Sequence, residues 1–341
     1  MLSLIGIGGA GCRIVDDFYS KNVVSGFLTK LSNKRRGFTG VVADTSDSIT
    51  KLNSIPKSNM ILIGKSRTKG HGTGVNVELG KKIMNEEAEL VLNLMSKAGF
   101  KKDDLLIIFA GLGGGTGTGS IPVITEKIKK VYKAPLFGVF VLPSFEEGRV
   151  HAKNTYDNLQ EVVSSVDGAI ILDNDIPMKR GGDAISTYKI VDELISKFII
   201  LVLKVEENIL GNTLDKLSTI AYAKDRSKDI SIKGTIEKML RDSVFLKFDM
   251  HSCEKLVFIA KGDMGTLFDQ DFARGWIKKK FNCEVEYIFQ DEPNAKQVEM
   301  GMMITGIKDL SNRFDELIKT KAEEKKRNEL DELLGDIQSI I

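Results

Sequence analysis

The sequence contains few of the residues that define several common protein classes. Three cysteines occur in 341 residues, and Cys12, Cys253 and Cys283 lie far apart. An odd number of widely spaced cysteines fits neither a disulfide framework nor the paired spacing of a zinc site. We therefore expect a protein of a reducing compartment, the cytoplasm, that has no metal site of its own.

A long apolar run and a strong excess of charge of one sign are also missing. The longest apolar cluster, residues 199–203, is bounded by Lys197 and Lys204, and a membrane span needs about 20 apolar residues. The formal net charge of +2 gives no electrostatic reason to expect nucleic acid as a partner. The first residues, MLSLIGIGG, lack a basic region and a cleavage site, so we interpret them as a core strand. We expect no transmembrane segment.

The first half of the sequence alternates short apolar runs with glycine-rich loops and helical segments. Strands that alternate with helices predict a parallel sheet covered on both faces. In such sheets, ligands bind outside the carboxyl ends of the strands, which is where two glycine loops fall. The candidate strands are residues 2–7, 40–43, 60–63, 105–110, 135–142 and 168–172, and a helix is expected to start near Ser120.

The second half follows a long helical pattern at residues 188–208. The pattern predicts an α/β fold with a Rossmann-like first domain, a long central helix and a smaller second α/β domain. We set the limits at 1–186, 187–210 and 211–310, followed by a charged helical tail at 311–341. Strands are expected at 217–223, 243–248, 255–261, 284–289 and 300–306, with a helix at 269–281.

The run GLGGGTGTGS at residues 111–120 is the strongest functional signal. Six glycines in nine residues carry a high cost in backbone entropy for a mere connector. They let backbone N–H groups approach an anion at the start of a helix. The absence of a following lysine excludes a Walker A loop. The candidate phosphate-binding residues are Gly113, Gly114, Gly115, Thr116, Gly117, Thr118 and Gly119, with Ser120 as a further hydroxyl donor.

Two further glycine loops point to the same ligand. Residues 6–11, GIGGAG, have the GxGxxG spacing of a dinucleotide loop, which alone is a weak signal. Residues 69–76, KGHGTGVN, supply more backbone donors. Two loops that follow two different strands suit one triphosphate held from two sides better than one NAD. Under the NAD alternative, Asp44 is the nearest acidic residue at a strand end, and it lies too far from Gly11.

These motifs resemble the tubulin/FtsZ superfamily. GLGGGTGTGS is similar to its signature loop and GIGGAG to the first nucleotide loop of FtsZ. The resemblance spans roughly residues 3–305, and LP at 142–143, EEGR at 146–149 and LDND at 172–175 are similar to the ribose and base regions. The runs GHGTGVNVELG at 70–80, LSTIAYA at 217–223 and ARGWIKKKF at 273–281 are most similar to the archaeal CetZ branch.

The resemblance implies a GTP/GDP site, with Mg²⁺ carried by the nucleotide. It assigns Gly8, Gly9, Ala10, Gly11, Cys12 and Arg13 and the 113–120 loop to the phosphates, and Gly72, Thr73 and Gly74 to the γ-phosphate. Glu147 or Glu146 is implied at the ribose, and Asn174, Tyr188 and Asp192 at the base. Asp44 either helps to order Mg²⁺ through water or repels phosphate slightly.

The base assignment also makes physical sense. Tyr188 and Asp192 are four residues apart and share one face of a helix. A tyrosine ring can stack on a purine, and a carboxylate accepts the two donors that guanine presents at N1 and N2. Adenine has an acceptor at N1, so the pair favours GTP over ATP. The alternative is a half-buried core tyrosine and a solvated aspartate.

Hydrolysis in this superfamily is implied to occur between subunits, where a loop after the central helix brings carboxylates to the γ-phosphate of the next protomer. Two alignments of that loop remain open. One selects Asp215, with Ser218 in place of the second carboxylate, and the other selects Glu206 and Glu207. The candidate catalytic residues are Asp215 and Glu207.

The leading functional hypothesis is a cytoskeletal GTPase that polymerises head to tail, in cell shape or division. The alternative is a scaffold or regulator of an FtsZ-type filament that binds GTP but hydrolyses it poorly. The expected partners are other copies of the chain, with a homologous filament protein or a membrane adaptor engaged through the tail. The tail ends in the apolar residues Ile337, Ile340 and Ile341 and is either a solvated terminal helix or an amphipathic docking segment.

Overall fold

The computed structural model describes residues 1–25, 38–181, 183–205, 217–226, 232–248, 252–264, 269–281 and 283–307. The predicted tail at 311–341 and the loop with Glu206, Glu207 and Asp215 lie outside these ranges.

The strands of the described part form one sheet with the order β3-β2-β1-β4-β5-β6-β7-β10-β8-β9. The pairs from β3 through β7 are parallel. Strand β10 is antiparallel to both β7 and β8, and β9 pairs with β8 in parallel. The strands are β1 (Leu2–Ile7), β2 (Phe38–Asp44), β3 (Met60–Leu62), β4 (Leu105–Gly111), β5 (Leu136–Leu142), β6 (Gly168–Asp173), β7 (Leu217–Asp225), β8 (Lys255–Gly262), β9 (Glu284–Asp291) and β10 (Val298–Thr305).

Helices cover both faces of this sheet. They are α1 (Gly8–Ser25), α2 (Lys65–Thr68), α3 (Val77–Lys97), α4 (Gly115–Val131), α5 (Arg149–Ser164), α6 (Asp175–Lys179), α7 (Ala184–Val205), α8 (Ile232–Ser243) and α9 (Gln270–Lys280), and short 3-10 turns lie at Asp47–Lys51, Lys57–Asn59 and Phe145–Glu147. None of the described helices is both long and apolar enough to span a bilayer.

The central strands are buried on both faces, which explains their unbroken apolar sequences. In β1, Leu4 packs into one hydrophobic cluster and its neighbour Ile5 into another. Ile107 and Ile108 of β4 divide in the same way. The predicted α/β fold with a mainly parallel sheet is therefore confirmed.

Helix α7 lies across the junction of the parallel and mixed parts of the sheet. Phe198 and Leu201, both buried, approach β10 so closely that a Cβ on Gly301 would lie 3.0 Å from Leu201 Cδ2 and 3.2 Å from Phe198 Cδ2. The helix also contacts α1 and β7. It joins the two halves of the molecule, and it presents its first turns to the carboxyl ends of the parallel strands.

The strand predicted at 243–248 is wrong. Ser243 is the last residue of α8, and residues 244–248 have no regular secondary structure. Phe245 and Leu246 are buried, and the Phe245 carbonyl accepts a hydrogen bond from the Asp173 N–H at the end of β6. The apolar run therefore reflects burial of a connecting segment.

Candidate functional site

Two helix N-termini meet at one cleft. Helix α1 begins at Gly8, directly after β1, and α4 begins at Gly115, four residues after β4 ends at Gly111. The N-cap of α4 is Gly114, which has no side chain that could accept a hydrogen bond from the helix. The first N–H groups of a helix have no acceptor inside it and carry partial positive charge. The cleft has a volume of about 310 Å³, and the two helix N-termini favour binding of an anion in it.

The glycines of the loop at residues 111–120 are required for two different structural reasons. A Cβ on Gly115 would lie 2.4 Å from Asn76 O and 2.4 Å from Thr73 Oγ1, and one on Gly117 would lie 2.4 Å from Gly111 O. These two glycines allow close packing of the backbone. A Cβ on Gly114 would meet no protein atom within 4 Å, although Gly114 lines the cleft. The space in front of Gly114 is open for a ligand.

The hydroxyl of Thr116 connects three loops. Its Oγ1 lies 2.7 Å from Thr45 Oγ1 and 3.1 Å from Thr73 Oγ1, and all three residues are buried. The Gly115 N–H donates to the Gly74 carbonyl at 2.9 Å. These contacts hold the third glycine loop, predicted at 69–76, against the start of α4.

Tyr188 and Asp192 lie on the first turns of α7 and face Arg13 of α1. The Arg13 guanidinium carbon lies 4.8 Å from the centre of the Tyr188 ring, and Arg13 Nε lies 3.5 Å from Asp192 Oδ2. The ion pair lacks hydrogen-bond geometry, since Arg13 Nε has no hydrogen-bond partner. Burial raises the pKa of Asp192 to about 7, and the positive charge of Arg13 opposes that shift.

Glu147 and Asn174 form another part of the cleft wall. Glu147 closes a capping box in which its Oε1 accepts the Ser144 N–H at 2.8 Å. The same oxygen lies 3.5 Å from Asn174 Nδ2, so the amide group of Asn174 is oriented by Glu147. Asn174 Oδ1 is buried without a hydrogen-bond partner. Buried acceptors of this kind are rare, and this one lines the cleft, where a ligand could donate to it.

Asp44 ends β2 at the phosphate side of the cleft. Its Oδ1 accepts the Thr45 N–H at 2.7 Å. Burial raises the pKa of Asp44 to about 6, while the backbone hydrogen bonds from Thr45 and Ser46 oppose the shift. Among the described residues no group of three or more His, Cys, Asp or Glu side chains could hold a metal ion.

Residues 2–179 match the family described as "Tubulin/FtsZ family, GTPase domain", which is more than half of the chain. The chain belongs to the tubulin/FtsZ family. Members of this family are in general GTPases.

Several relatives place the chain near the archaeal CetZ branch, as the sequence motifs predicted. It is 34% identical over 203 residues to tubulin-like protein CetZ1 of Haloferax volcanii, which covers 59% of this chain and 49% of that protein. It is 28% identical over 343 residues to CetZ of Thermococcus kodakarensis, with 94% and 85% covered. The chain spans about half the length of the Haloferax relatives it matches first.

Two solved CetZ structures have the same fold. The GDP-bound monomer of CetZ1 from Haloferax volcanii superposes with a TM-score of 0.80 at 26% identity and covers 95% of this chain and 100% of that chain. A GTPγS-bound protofilament of CetZ2 has a TM-score of 0.80 at 22% identity, with 96% and 100% covered. The predicted family and fold are thereby confirmed.

Most of the residues that the family resemblance assigned to a nucleotide line this cleft. They are Gly8, Gly9, Ala10, Arg13, Asp44, Gly72, Thr73, Gly74, Gly114, Gly115, Thr116, Gly117, Glu147, Asn174, Tyr188 and Asp192. Both glycine loops contribute to one cleft, which the NAD alternative does not explain. The assignment of each residue to phosphate, ribose or base stays a prediction.

The remaining predicted residues lie behind the lining. Cys12 Sγ donates to the Gly6 and Ala43 carbonyls, and a Cβ on Gly11 would lie 2.1 Å from Phe109 O. Thr118 Oγ1 accepts the Gly113 N–H at 2.8 Å. Gly119 faces α3, where a Cβ would lie 2.1 Å from Val77 O. These residues shape the loops without facing the ligand space.

Sequence reasoning missed several residues of the cleft wall. Ser46 and Ser48 follow Asp44 in the loop after β2, and Leu112, Val141 and Pro143 come from the ends of β4 and β5. The position of Ser46, two residues after a strand end, was a signal that could have identified it. The apolar wall residues carry no such signal.

The loop expected to complete hydrolysis is described only in part. Leu217 and Ser218 belong to β7, and Ser218 is fully buried. An alignment that places a catalytic loop at 214–218 therefore extends it into a strand of the sheet. Glu206, Glu207 and Asp215 lie outside the described residues.

Proposed function

We propose that this chain binds GTP in the cleft, polymerises head to tail and hydrolyses GTP at the contact between neighbouring subunits. One arrangement carries the proposal. Two helix N-termini begin at the cleft, which is open at Gly114, and the same cleft is lined by Tyr188, Asp192 and Asn174, whose Oδ1 is unpartnered. An anion-binding end and a base-reading end in one cleft are what a nucleoside triphosphate requires.

The choice of guanine rests on the charge of Asp192 and on Asn174. An ionised Asp192 accepts two hydrogen bonds from guanine N1–H and N2–H₂, and it has no donor for the adenine N1. Arg13, at 3.5 Å, favours the ionised form. Asn174 offers both an amide donor and a buried acceptor. Tyr188 supplies a ring for stacking, and Glu147 is the carboxylate for the ribose hydroxyls.

Polymerisation supplies what one subunit lacks. Three carboxylates are among the described residues that line the cleft, and we propose two of them, Glu147 and Asp192, for the ribose and the base, which leaves Asp44 on β2. The candidates Glu207 and Asp215 follow α7, at the far end of the helix from Tyr188 and Asp192. We propose that this segment reaches the cleft of the next subunit, as positioning and electrostatics dominate phosphoryl transfer. Ser218, buried in β7, is unsuited to that role.

GTP with Mg²⁺ is expected to start assembly of the purified chain. Right-angle light scattering and phosphate release are followed together, with GDP and ATP as controls. Scattering should rise with GTP alone and fall as phosphate appears, because hydrolysis weakens the longitudinal contact. Scattering without phosphate release would support the hydrolysis-poor scaffold instead. Absence of GTP-specific binding would contradict the proposal as a whole.

The two candidate carboxylates can then be separated. The variant that lacks the acting group, Asp215→Ala or Glu207→Ala, should still assemble and should release phosphate about 100-fold or more slowly, the usual scale of one positioned catalytic group. The other variant serves as the matched control. Wild-type rates of phosphate release in both variants would contradict a cross-subunit role for either side chain.

Stability without nucleotide is expected to fall as the pH rises from about 5 to 8. Burial raises the pKa of Asp44 to about 6 and that of Asp192 to about 7, whereas an unfolded aspartate titrates near 3.9. Between these values the folded protein binds more protons than the unfolded chain. The stabilisation is thus complete below pH ~4 and is lost as the pH passes the folded pKa values.

Melting temperatures at several pH values measure this effect. The wild type should lose several degrees between pH 5 and 8, since 1 kcal/mol corresponds to roughly 2–4 °C in a domain of this size. Asp192→Asn has no carboxyl to titrate and should show a smaller decline. Parallel curves for the two proteins would exclude Asp192 as a source of the pH dependence.

A further inference from the structure

A groove outside the cleft has an apolar floor. It lies between α6, α8 and α9 and has a volume of about 520 Å³. Its floor side chains are half-buried, which leaves apolar surface in contact with solvent. They are Ile176, Leu240, Val244, Phe248 and Trp276. A recess of this kind can receive the apolar face of a helix.

The rim of the groove is positively charged. It carries Arg180, Arg241, Lys247 and Lys280, against Glu237 as the carboxylate among the lining residues. Arg180 is held in place, because its guanidinium donates to the Asp242 and Arg241 carbonyls. Arg241 pairs with Asp242. Lys247 and Lys280 make no ion pair with a carboxylate of the described residues, so the rim favours an acidic partner.

One segment of this chain has the matching chemistry. Residues 330–341, LDELLGDIQSII, place apolar residues at 330, 333, 334, 337, 340 and 341, the spacing of one helix face. Their charged residues are all acidic, namely Asp331, Glu332 and Asp336. An apolar stripe flanked by carboxylates complements an apolar floor flanked by lysine and arginine.

The connection is long enough for this segment to reach the groove. The described part of the chain ends at Ile307, whose N–H donates to the Leu217 carbonyl at 3.1 Å. Ile307 shares a hydrophobic cluster with Leu246, and Phe248 packs against the same cluster. The described part of the chain therefore ends in the same hydrophobic core that Leu246 of the groove belongs to. Residues 308–329 can span up to about 70 Å, at roughly 3.3 Å per residue.

We propose that residues 330–341 dock in the groove of their own protomer, with the apolar stripe on Trp276 and Phe248 and the carboxylates toward Lys247 and Lys280. This intramolecular contact does not depend on nucleotide binding or on polymerisation. The docked segment would contact Ile176 of α6, which lies two residues after Asn174 of the cleft.

Trp276 makes the proposal directly measurable, because it is the one tryptophan in the sequence. Emission and acrylamide quenching are compared between the full chain and a chain that ends at residue 329, both without nucleotide. Removal of the segment is expected to shift the emission to longer wavelength and to increase quenching. A synthetic peptide of residues 330–341 should reverse both changes at concentrations up to about millimolar, the effective concentration of a tethered segment.

Charge reversal tests the electrostatic part. Lys247→Glu in the full chain should expose Trp276 as truncation does, and in the truncated chain it should change nothing. Lys247→Glu and Lys280→Glu together, combined with lysine substitutions of the three acidic residues of the segment, should restore protection, because the segment is proposed to place its charged side chains toward these two positions. Lys130→Glu, at an exposed lysine of α4, is the matched control and should have no effect on Trp276. Circular dichroism checks that each variant is folded.

Each contrary result overturns the proposal in a distinct way. Identical Trp276 spectra for the full and truncated chains would mean that the segment does not occupy the groove. Protection that grows with protein concentration would mean that the segment docks on another copy. Protection by anionic lipid vesicles but not by the peptide would assign the groove to a membrane surface. None of these results bears on GTP binding, which the scattering experiment tests separately.

Discussion

Replacement of Gly114 by valine is expected to abolish GTP binding while the fold is retained. A Cβ at this position would meet no protein atom within 4 Å, and the backbone has φ −77° and ψ 165°, which any residue can adopt. The added methyl groups would instead fill the space in front of the N–H groups that follow Gly115 in α4, since the Gly115 N–H already donates to the Gly74 carbonyl. Loss of two hydrogen bonds to a charged phosphate, at about 1.5–3 kcal/mol each, corresponds to roughly a 10²- to 10⁴-fold loss of affinity.

The chain offers a matched control for this change. Gly275 in α9 also has open space around its Cβ position and lies outside the cleft. Gly275→Val should therefore bind GTP as the wild type does. Affinity is measured by titration calorimetry, and the melting temperature without nucleotide checks folding. Normal GTP affinity in Gly114→Val would mean that the phosphates do not approach the N-terminus of α4.

Gly115→Val would be a poorer experiment than Gly114→Val, and the reason illustrates how differently two adjacent glycines act. At Gly115 the new Cβ would collide with the Asn76 carbonyl and the Thr73 hydroxyl at 2.4 Å. The helix and the third glycine loop would have to separate, so a loss of binding could arise from misfolding. At Gly114 the collision is with the ligand alone.

The parallel half of the sheet was predictable because its strands are buried on both faces and read as apolar runs between glycine loops. The strands predicted at 2–7 and 105–110 agree with β1 and β4 to within one residue. The same reasoning failed at 243–248, since an apolar run records burial and not pairing. Helix α8, which precedes that segment, was missed although Ile232, Ile236 and Met239 have helical spacing and are buried.

The start of α4 shows a second limit of local reasoning. The sequence placed it near Ser120, because glycine is a poor helix former. The helix begins at Gly115 instead. Tertiary packing decides the matter, since Gly115 and Gly119 allow α4 to approach the Asn76 and Val77 carbonyls of the loop and helix beside it. Propensity is a weak guide where a residue is selected for its lack of a side chain.

Contacts between distant residues were beyond the sequence. The spacing of Tyr188 and Asp192 predicted that they share a helix face, and both line the cleft. Nothing in that spacing indicated that Arg13, on another helix, lies over the Tyr188 ring and beside Asp192. The hydrogen-bond partners of the Thr118 and Ser120 hydroxyls could not be predicted from the sequence either. Thr118 turns to the Gly113 N–H and Ser120 to the Gly80 carbonyl at 3.5 Å, away from the ligand space.

Asp192→Asn is expected to reverse the choice of base. An asparagine keeps the shape of the side chain but presents one acceptor and one donor group where the carboxylate presents two acceptors. Guanine would then face a donor with its own N2–H₂ group. Two donors that face each other leave buried polar groups unpaired, and such mismatches are strongly discriminated against. We therefore expect the GTP affinity of Asp192→Asn to fall about 100-fold, equivalent to roughly 2.8 kcal/mol.

Xanthosine triphosphate provides the positive half of this experiment. Xanthine has a carbonyl oxygen in place of the guanine N2 amino group, and the side-chain amide introduced by Asp192→Asn can donate to that oxygen. The wild type should therefore prefer GTP, and Asp192→Asn should prefer the xanthine nucleotide. Glu193→Gln makes the same chemical change one residue along α7, where Glu193 pairs with Lys197 outside the cleft, and it should leave the preference unchanged.

The pH dependence of the two affinities separates recognition by charge from recognition by shape. Burial raises the pKa of Asp192 to about 7, so the carboxylate that guanine needs is partly protonated at neutral pH. GTP affinity of the wild type should rise as the pH passes 7, while Asp192→Asn, which has no carboxyl at this position, should lack that rise with the xanthine nucleotide. Arg13 favours the ionised Asp192, so the rise of GTP affinity should occur at a higher pH in Arg13→Gln than in the wild type. A wild-type GTP affinity that does not change across pH 6–8 would mean that Asp192 does not accept the guanine donors. The base would then have to be recognised by Asn174. The amide of Asn174 does not titrate, and its Oδ1 is an acceptor without a partner.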